Sequence, residues 1–283
     1  MTHSDVSIWE HVAGTPSPNL RSFINYYNGY REDLGQSVCR LQVPRARVIL
    51  VLGFGDYLRI KPVGSKSESK IYQSFIVGLD GNPLLAEHDG TRHCIEIALR
   101  PWAANRLFQG ALTEFAKETI ALENIWGKDA NMLIEQLSEI SSWSKQFSLI
   151  DRVLVEKFIT SHSMVRPEIR WAWNQLESQG GCLSIRQLAK TIGWSDRHFA
   201  KCFREQIGMT PKAAARQIRF TQAHRLLTAS DDYALSEIAL ICGYSDQSHF
   251  TREFHSFSGC SPTTYQKAHF ANLPGIPGDI VNG

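Results

Sequence analysis

No C-x-x-C pair occurs in this chain, and its longest unbroken aliphatic run is only five residues, 48–52. The first lack removes the commonest zinc and redox signatures. The second removes a membrane-spanning helix, which needs about 20 apolar residues in a row. The opening MTHSDVSIWE has no basic segment followed by an apolar stretch, so no secretory signal is expected and the cytoplasm is the expected compartment. An excess of one charge is also missing: 30 Lys and Arg stand against 28 Asp and Glu, for a net +2. Residues 1–165 carry 17 against 18 and residues 166–283 carry 13 against 10, a bias that permits nucleic-acid binding without arguing for it. The six cysteines, at 39, 94, 182, 202, 242 and 260, read as reduced thiols used as small hydrophobes.

Catalytic constellations are missing as well. His88 and His93 lack the tight H-x-H and later Glu and His of a metal-binding barrel, so no metal is expected. Gly53-Phe54-Gly55 lacks the third glycine and following helix of a dinucleotide loop. Ser67-x-x-Lys70 lies in a polar loop with no companion motif. With no paired carboxylates and no triad, neither an enzyme nor a cofactor is expected.

What is present is material for about two domains: 283 residues, 43% hydrophobic and 20% charged. The spacing of Leu20, Phe23, Ile24 and Tyr27 predicts a helix over 20–30. Short β-rich runs follow at 37–43, 47–52, 56–60, 71–79, 84–88 and 93–99, each stopped by turn residues such as Asp80-Gly81-Asn82-Pro83. Their close spacing predicts a small antiparallel barrel or sandwich. After Pro101 the texture turns helical, at 102–107, 131–143 and 149–158, and residues 160–167 read as a linker. The apolar stripe of 131–143 is either a dimer seam or a face packed on its own barrel. Phe54, Tyr57, Tyr72, Phe75 and Trp102, on or beside the strands, are candidates for a small-molecule pocket. The overall class is α+β: a β-rich sensing and dimerisation domain over 1–162, an all-α domain over 167–270, and a frayed tail over 271–283.

The second half contains a near-duplicate. LSIRQLAKTIGWSDRHFAKCFREQIGMTP, from Leu183, aligns with LSEIALICGYSDQSHFTREFHSFSGCSP, from Leu235. Ala189 matches Ala239, Gly193 matches Gly243, and Trp194-Ser195-Asp196 matches Tyr244-Ser245-Asp246. Past one inserted residue Phe199, Lys201, Phe203, Gly208 and Pro211 match Phe250, Arg252, Phe254, Gly259 and Pro262. Each copy predicts a helix-turn-helix, over 183–208 and 235–259: a short first helix, a glycine for the left-handed turn, then a second helix capped by Ser195 or Ser245, or by the Asp after each. Aromatics would face inward on the second helix, leaving Arg197, Lys201 and Arg204, or Gln247, Ser248, Thr251 and Arg252, to donate to base edges and phosphates. Pro211 would open a long helix joining the copies. Such a rod can hold two recognition helices about one DNA turn, roughly 34 Å, apart.

At these residues the sequence resembles the AraC/XylS family of bacterial transcription regulators. The resemblance covers residues 175–267. It is carried by I-A-x-x-C-G-Y-S-D-Q-S-H-F-x-R-x-F-H from Ile238, G-x-S-P-x-x-Y ending at Tyr265, and R-x-x-x-A-x-x-L-L ending at Leu227. It implies base reading by Arg197, Ala200 and Lys201 in the first unit, Ala200 offering only a contact to a thymine methyl. In the second it implies Gln247, Ser248, His249, Thr251 and Arg252. Asp196 and Asp246 put negative charge near the groove and are read as helix N-terminal groups favoured by the dipole. The runs F-I-V-G-L-D from Phe75 and I-E-I-A-L-R-P-W from Ile95 resemble, more weakly, the cupin-like sensor domain of such regulators. That resemblance implies an effector pocket and often a homodimer, and the C-terminal one implies promoter DNA and RNA polymerase as partners. Two rivals remain open at this point. One is an enzyme targeted by the repeat, which would need a reactive cysteine; the other is a protein-interaction scaffold.

Overall fold

The computed structural model describes residues 8–55, 57–79, 82–110, 118–229, 233–269 and 275–281. Asp56 of the expected 56–60 strand and Asp80-Gly81 of the expected turn lie outside the described residues. The first half folds as strands β1 (Ile8–Gly14), β2 (Ile24–Asp33), β3 (Val38–Gln42), β4 (Val48–Gly53), β5 (Leu58–Pro62), β6 (Lys70–Tyr72), β7 (Phe75–Val77), β8 (Leu84–His88) and β9 (Thr91–Leu99). Helix α1 (Pro101–Leu107), strand β10 (Thr119–Ala121) and helices α2 (Glu123–Trp126), α3 (Lys128–Ser138) and α4 (Trp143–Thr160) follow. The rest is α5 (Pro167–Ser178), α6 (Ile185–Thr191), α7 (Asp196–Ile207), α8 (Pro211–Ala229), α9 (Leu235–Ile241), α10 (Gln247–Ser258), α11 (Pro262–Ala268) and a two-residue strand β11 (Ile276–Pro277).

The strands form two sheets, ordered β1-β2-β9-β4-β7-β10 and β11-β3-β8-β5-β6, with every pair antiparallel. The class is thus α+β, as the sequence implies. Strand period fixes what each face does. Along β9, Ile95, Ile97 and Leu99 are fully buried in a core shared with the helices, whereas Cys94 joins Tyr30, Val51, Leu58, Ile60 and Phe75 in a lumen between the sheets. Each fully buried aliphatic or aromatic side chain contributes about 1.5–3 kcal/mol.

Several sequence expectations change. Residues 20–30 do not form a helix: Leu20–Ile24 is a turn, with the Ile24 amide donating to the Leu20 carbonyl, and β2 begins at Ile24. The expected 71–79 run is two strands broken at Gln73-Ser74. The 131–143 helix ends at Ser138, and Trp143 opens the next one. Its stripe is used inside the chain, since Leu133 and Leu137 are buried in the chain's own core. The tail is not frayed over 275–281: β11 pairs with β3, and a 3-10 turn (Gly278–Val281) follows.

Candidate nucleic-acid interface

Both copies of the repeat fold as capped helix pairs. In the first, the Ser184 hydroxyl accepts from the Gln187 amide and Ser195 accepts from the His198 amide at 3.2 Å. Gly193 turns the chain between them at φ 74°, and Gly208 ends α7 in the left-handed region at φ 91°. In the second, the Glu237 carboxylate accepts from the Ala234 amide at 2.7 Å, and Asp246 accepts from the His249 amide at 2.7 Å. Asp246 is held below the usual carboxylate range by that amide bond and by the Ser245 hydroxyl. The choice between Ser and Asp caps therefore resolves differently in the two copies. The inserted residue sits in the second turn, so α10 starts one residue later than the Trp-Ser-Asp match suggests.

The second helices are two-faced. On α7, Phe199, Cys202, Phe203 and Ile207 are buried, while Arg197, Lys201 and Arg204, at i, i+4 and i+7, form an exposed stripe opposite. On α10, Phe250 and Phe254 are buried at 0% exposure and Ser248 and Arg252 repeat the outward stripe. Gln247 is exposed beside them; Ala200 and Thr251 are half-buried on the flank. Lys201 is held only loosely, 3.9 Å from Glu205, with 72% of its side chain open. His249 behaves differently: its ring packs edge-on against Tyr244, and its Nδ1 is 3.1 Å from the Ser245 hydroxyl, so it braces the turn. Sequence reasoning missed His255, exposed at the place that Arg204 fills in α7. Carrying the i, i+4, i+7 stripe from Ser248 and Arg252 one step further would have found it.

Helix α8 divides its apolar face between the two units. Ala214, Ala215 and Ile218 enter the core of the first; Phe220, Ala223 and Leu227 enter that of the second. Glu253 of α10 is 2.8 Å from Arg216 and 3.4 Å from Arg219, which anchors the second recognition helix to the rod. The rod is also tied to the β-rich half. Gln217 donates from Nε2 to the carbonyls of Arg45 (2.9 Å) and Leu79 (2.8 Å), and the Thr221 hydroxyl accepts from the Ala46 amide at 3.2 Å. Glu177 of α5 receives Arg47 and, at 2.8 Å, Arg100.

The family description "Helix-turn-helix domain" matches residues 188–268, a span holding both recognition helices. The C-terminal region is an AraC-type helix-turn-helix domain. Curated proteins similar to the chain include the probable transcriptional regulator LumQ of Photobacterium leiognathi, 27% identical over 43% of this chain and 42% of that protein. Another is the transcriptional activator RhaR of Yersinia pseudotuberculosis, 29% identical over 52% of this chain and 55% of its own length. The chain thus spans about half or less of these relatives. Among solved structures, ToxT from Vibrio cholerae O395 is similar at 13% identity, covering 87% of this chain and 98% of that one with a TM-score of 0.49.

Ahead of the AraC-type domain, the lumen between the sheets holds a cavity of about 90 Å³. Ile49, Val51, Leu58, Ile60, Phe75, Val77, Leu84 and Ala86 give it an apolar wall, and Arg45, Arg92 and Glu96 a polar one. Arg45 donates to Glu96 at 3.0 Å and to the Tyr26 hydroxyl at 2.8 Å. A second buried ionic group continues along the lumen: Glu32 accepts from Arg40 at 2.8 Å and lies 3.4 Å from His88 Nε2 and 3.6 Å from Arg92. Of the five pocket candidates only Phe75 lines the cavity. Tyr72 is spent on the Thr119 carbonyl at 2.9 Å and Tyr57 is 61% exposed. Trp102 is buried in the core outside the lumen, and Phe54 packs edge-on against His93. Phe54 and Tyr57 lie in the connection between β4 and β5 and Trp102 lies in α1, whereas Tyr72 packs beside Phe75 in the lumen cluster but outside the cavity lining. His88 and His93 do not converge: His88 faces Glu32, and His93 packs on Trp143 of α4.

Proposed function

We propose that the chain is a transcription regulator that binds double-stranded promoter DNA with both helix-turn-helix units and answers to a small molecule held in the lumen. The observation carrying the first part is the duplicated outward stripe: Arg197, Lys201 and Arg204 on α7, Ser248 and Arg252 on α10, all exposed above fully buried aromatics. The relatives named above are transcriptional regulators. In this reading α7 and α10 enter successive major grooves, Arg197, Lys201 and Arg252 reach guanine edges or phosphates, and Ala200 touches a thymine methyl. RNA polymerase would be recruited or blocked at the bound promoter, and a homodimer would double the number of grooves read.

The lumen favours an effector with an apolar body and a polar end, since one wall is aliphatic and the other carries Arg45, Arg92 and Glu96. The enzyme reading needs a reactive thiolate. Burial pushes the thiols of Cys39, Cys94, Cys242 and Cys260 up, Cys242 to about 11, which keeps them protonated. Among the described residues, no helix is long and apolar enough to cross a membrane.

Genomic fragments selected by the purified chain supply a specific site. On that site Arg197→Ala and Arg252→Ala are each expected to cost about 1–3 kcal/mol in a fluorescence-anisotropy titration. Affinity for random duplex should fall steeply with salt. Two variants that bind like the parent would overturn this assignment of the reading face, and a flat salt response would favour the scaffold.

A further inference from the structure

The C-terminal segment 275–281 joins two parts of the molecule that are far apart in sequence. β11 adds to the edge of the second sheet, with Ile276 opposite Leu41 and Pro277 opposite Arg40 on β3. Its two flanking glycines allow a contact that larger residues would block. A Cβ on Gly275 (φ 85°) would stand 2.4 Å from the Leu41 carbonyl oxygen. A Cβ on Gly278 would stand 2.7 Å from Cys39 Sγ. Ile276 is 1% exposed and, with Leu41, belongs to the core built by Phe220, Phe250, Phe254 and Tyr265 of the second unit. One turn on, Val281 reaches the left-handed glycine that ends α10: a Cβ on Gly259 would meet Val281 Cγ1 at 3.2 Å and Val63 Cγ1 at 3.3 Å. The end of β3 and the residue after it, Gln42 and Val43, line the cavity.

We propose that residues 275–281 are a strap that transmits the state of the lumen to the second helix-turn-helix unit. A change in the lumen that shifts β3 moves the strand zipped to it. Ile276 and Val281 then carry that shift into the core and the C-cap of α10. The trigger rests on reading the lumen as the effector cavity; the mechanical link does not. Only a bistable or deformable link can pass such a signal, and a two-residue strand is easily opened.

The test uses the full chain and no ligand. Ala86→Leu places bulk in the cavity, and Ile276→Asp opens the strap. Amide hydrogen exchange over 235–258 is followed in the parent, both single variants and the double variant. The expected result is that Ala86→Leu shifts exchange over 235–258 by about threefold or more with the strap intact, and by much less with Ile276→Asp. An equal shift in both backgrounds would route the signal through the Gln217 contacts and overturn the proposal, as would no shift with the strap intact. Gly278→Cys gives an independent check, because its Cβ would lie within disulfide reach of Cys39. Diamide, taking up the two thiol hydrogens as the bond forms, should slow exchange over 235–258 by a similar factor, and dithiothreitol should restore it. Equal exchange in the oxidised and reduced forms would also sink the strap. Either failure leaves the effector reading of the lumen untouched.

Discussion

The two helix-turn-helix units share a motif and differ in their surroundings. The first unit's core, with Phe199, Phe203 and Trp173, runs without a break into the core under the barrel. The second unit's core, with Phe250, Phe254 and Tyr265, is separate, and meets the sheets through Leu41 of β3, Leu85 of β8 and Ile276 of β11, with Val43 and Val63 beside them. The repeat was legible because each unit needs the same capped turn and the same buried aromatics. What distinguishes the units is written outside the repeat, in β3, in the tail and in the polar residues of α8. A duplicated motif fixes a local fold, and the rest of the chain decides how tightly each copy is held.

The largest test of that difference is in the cores. Phe203→Ala and Phe254→Ala, each removing a side chain at 0% exposure, should each cost about 3–5 kcal/mol. Phe254→Ala should speed amide exchange over 235–258 while sparing 185–207; equal acceleration in both would mean that α8 does not separate two cores. Next comes the anchor of α10. Glu253→Gln leaves Arg216 and Arg219 without their carboxylate and should cost about 2 kcal/mol in thermal unfolding, discounted because Arg216 is 44% exposed. The second unit also has an acid sensitivity. Burial, with Arg45 and His269 nearby, lowers the His224 pKa to about 3, and its Nε2 lies 2.9 Å from the Tyr265 hydroxyl. Between that value and the ordinary histidine value the unfolded chain binds the extra proton, so stability falls as pH falls. The loss should be about 1–2 kcal/mol from pH 7 to pH 5, and His224→Gln should flatten it in paired melts. The smallest effect is at the caps. Ser195→Ala should cost about 1 kcal/mol at any pH. The effect of Asp246→Ala should vanish in acid, once the pH drops below the depressed pKa of that carboxyl.

The helical half was readable because period, glycine turns and caps agree there. The β-rich half was readable as strands but not in their facing. Residues 20–30 mimic a helix because a register shift between Ile24 and Tyr26 puts Ile24 and Tyr27 on one face of a strand, three apart. β1 escaped notice because it is an edge strand whose residues are all exposed or half-buried. The end of α3 carries no Gly or Pro; the Gln146 side chain caps it instead, donating to the carbonyls of Leu137 (3.0 Å) and Ile140 (2.8 Å). Such a long-range cap has no local sequence signature.

Gln217 and Thr221 stand one helical turn apart on α8, and both grip the short segment Arg45-Ala46. Advancing the rod by a single residue would swing this pair through about 100° and empty both grips at once. The angular setting of α8 relative to the barrel is therefore indexed, like a keyed shaft. Rotations that would carry α7 and α10 together past the barrel must release those bonds in a discrete step, and cannot be reached by gradual drift.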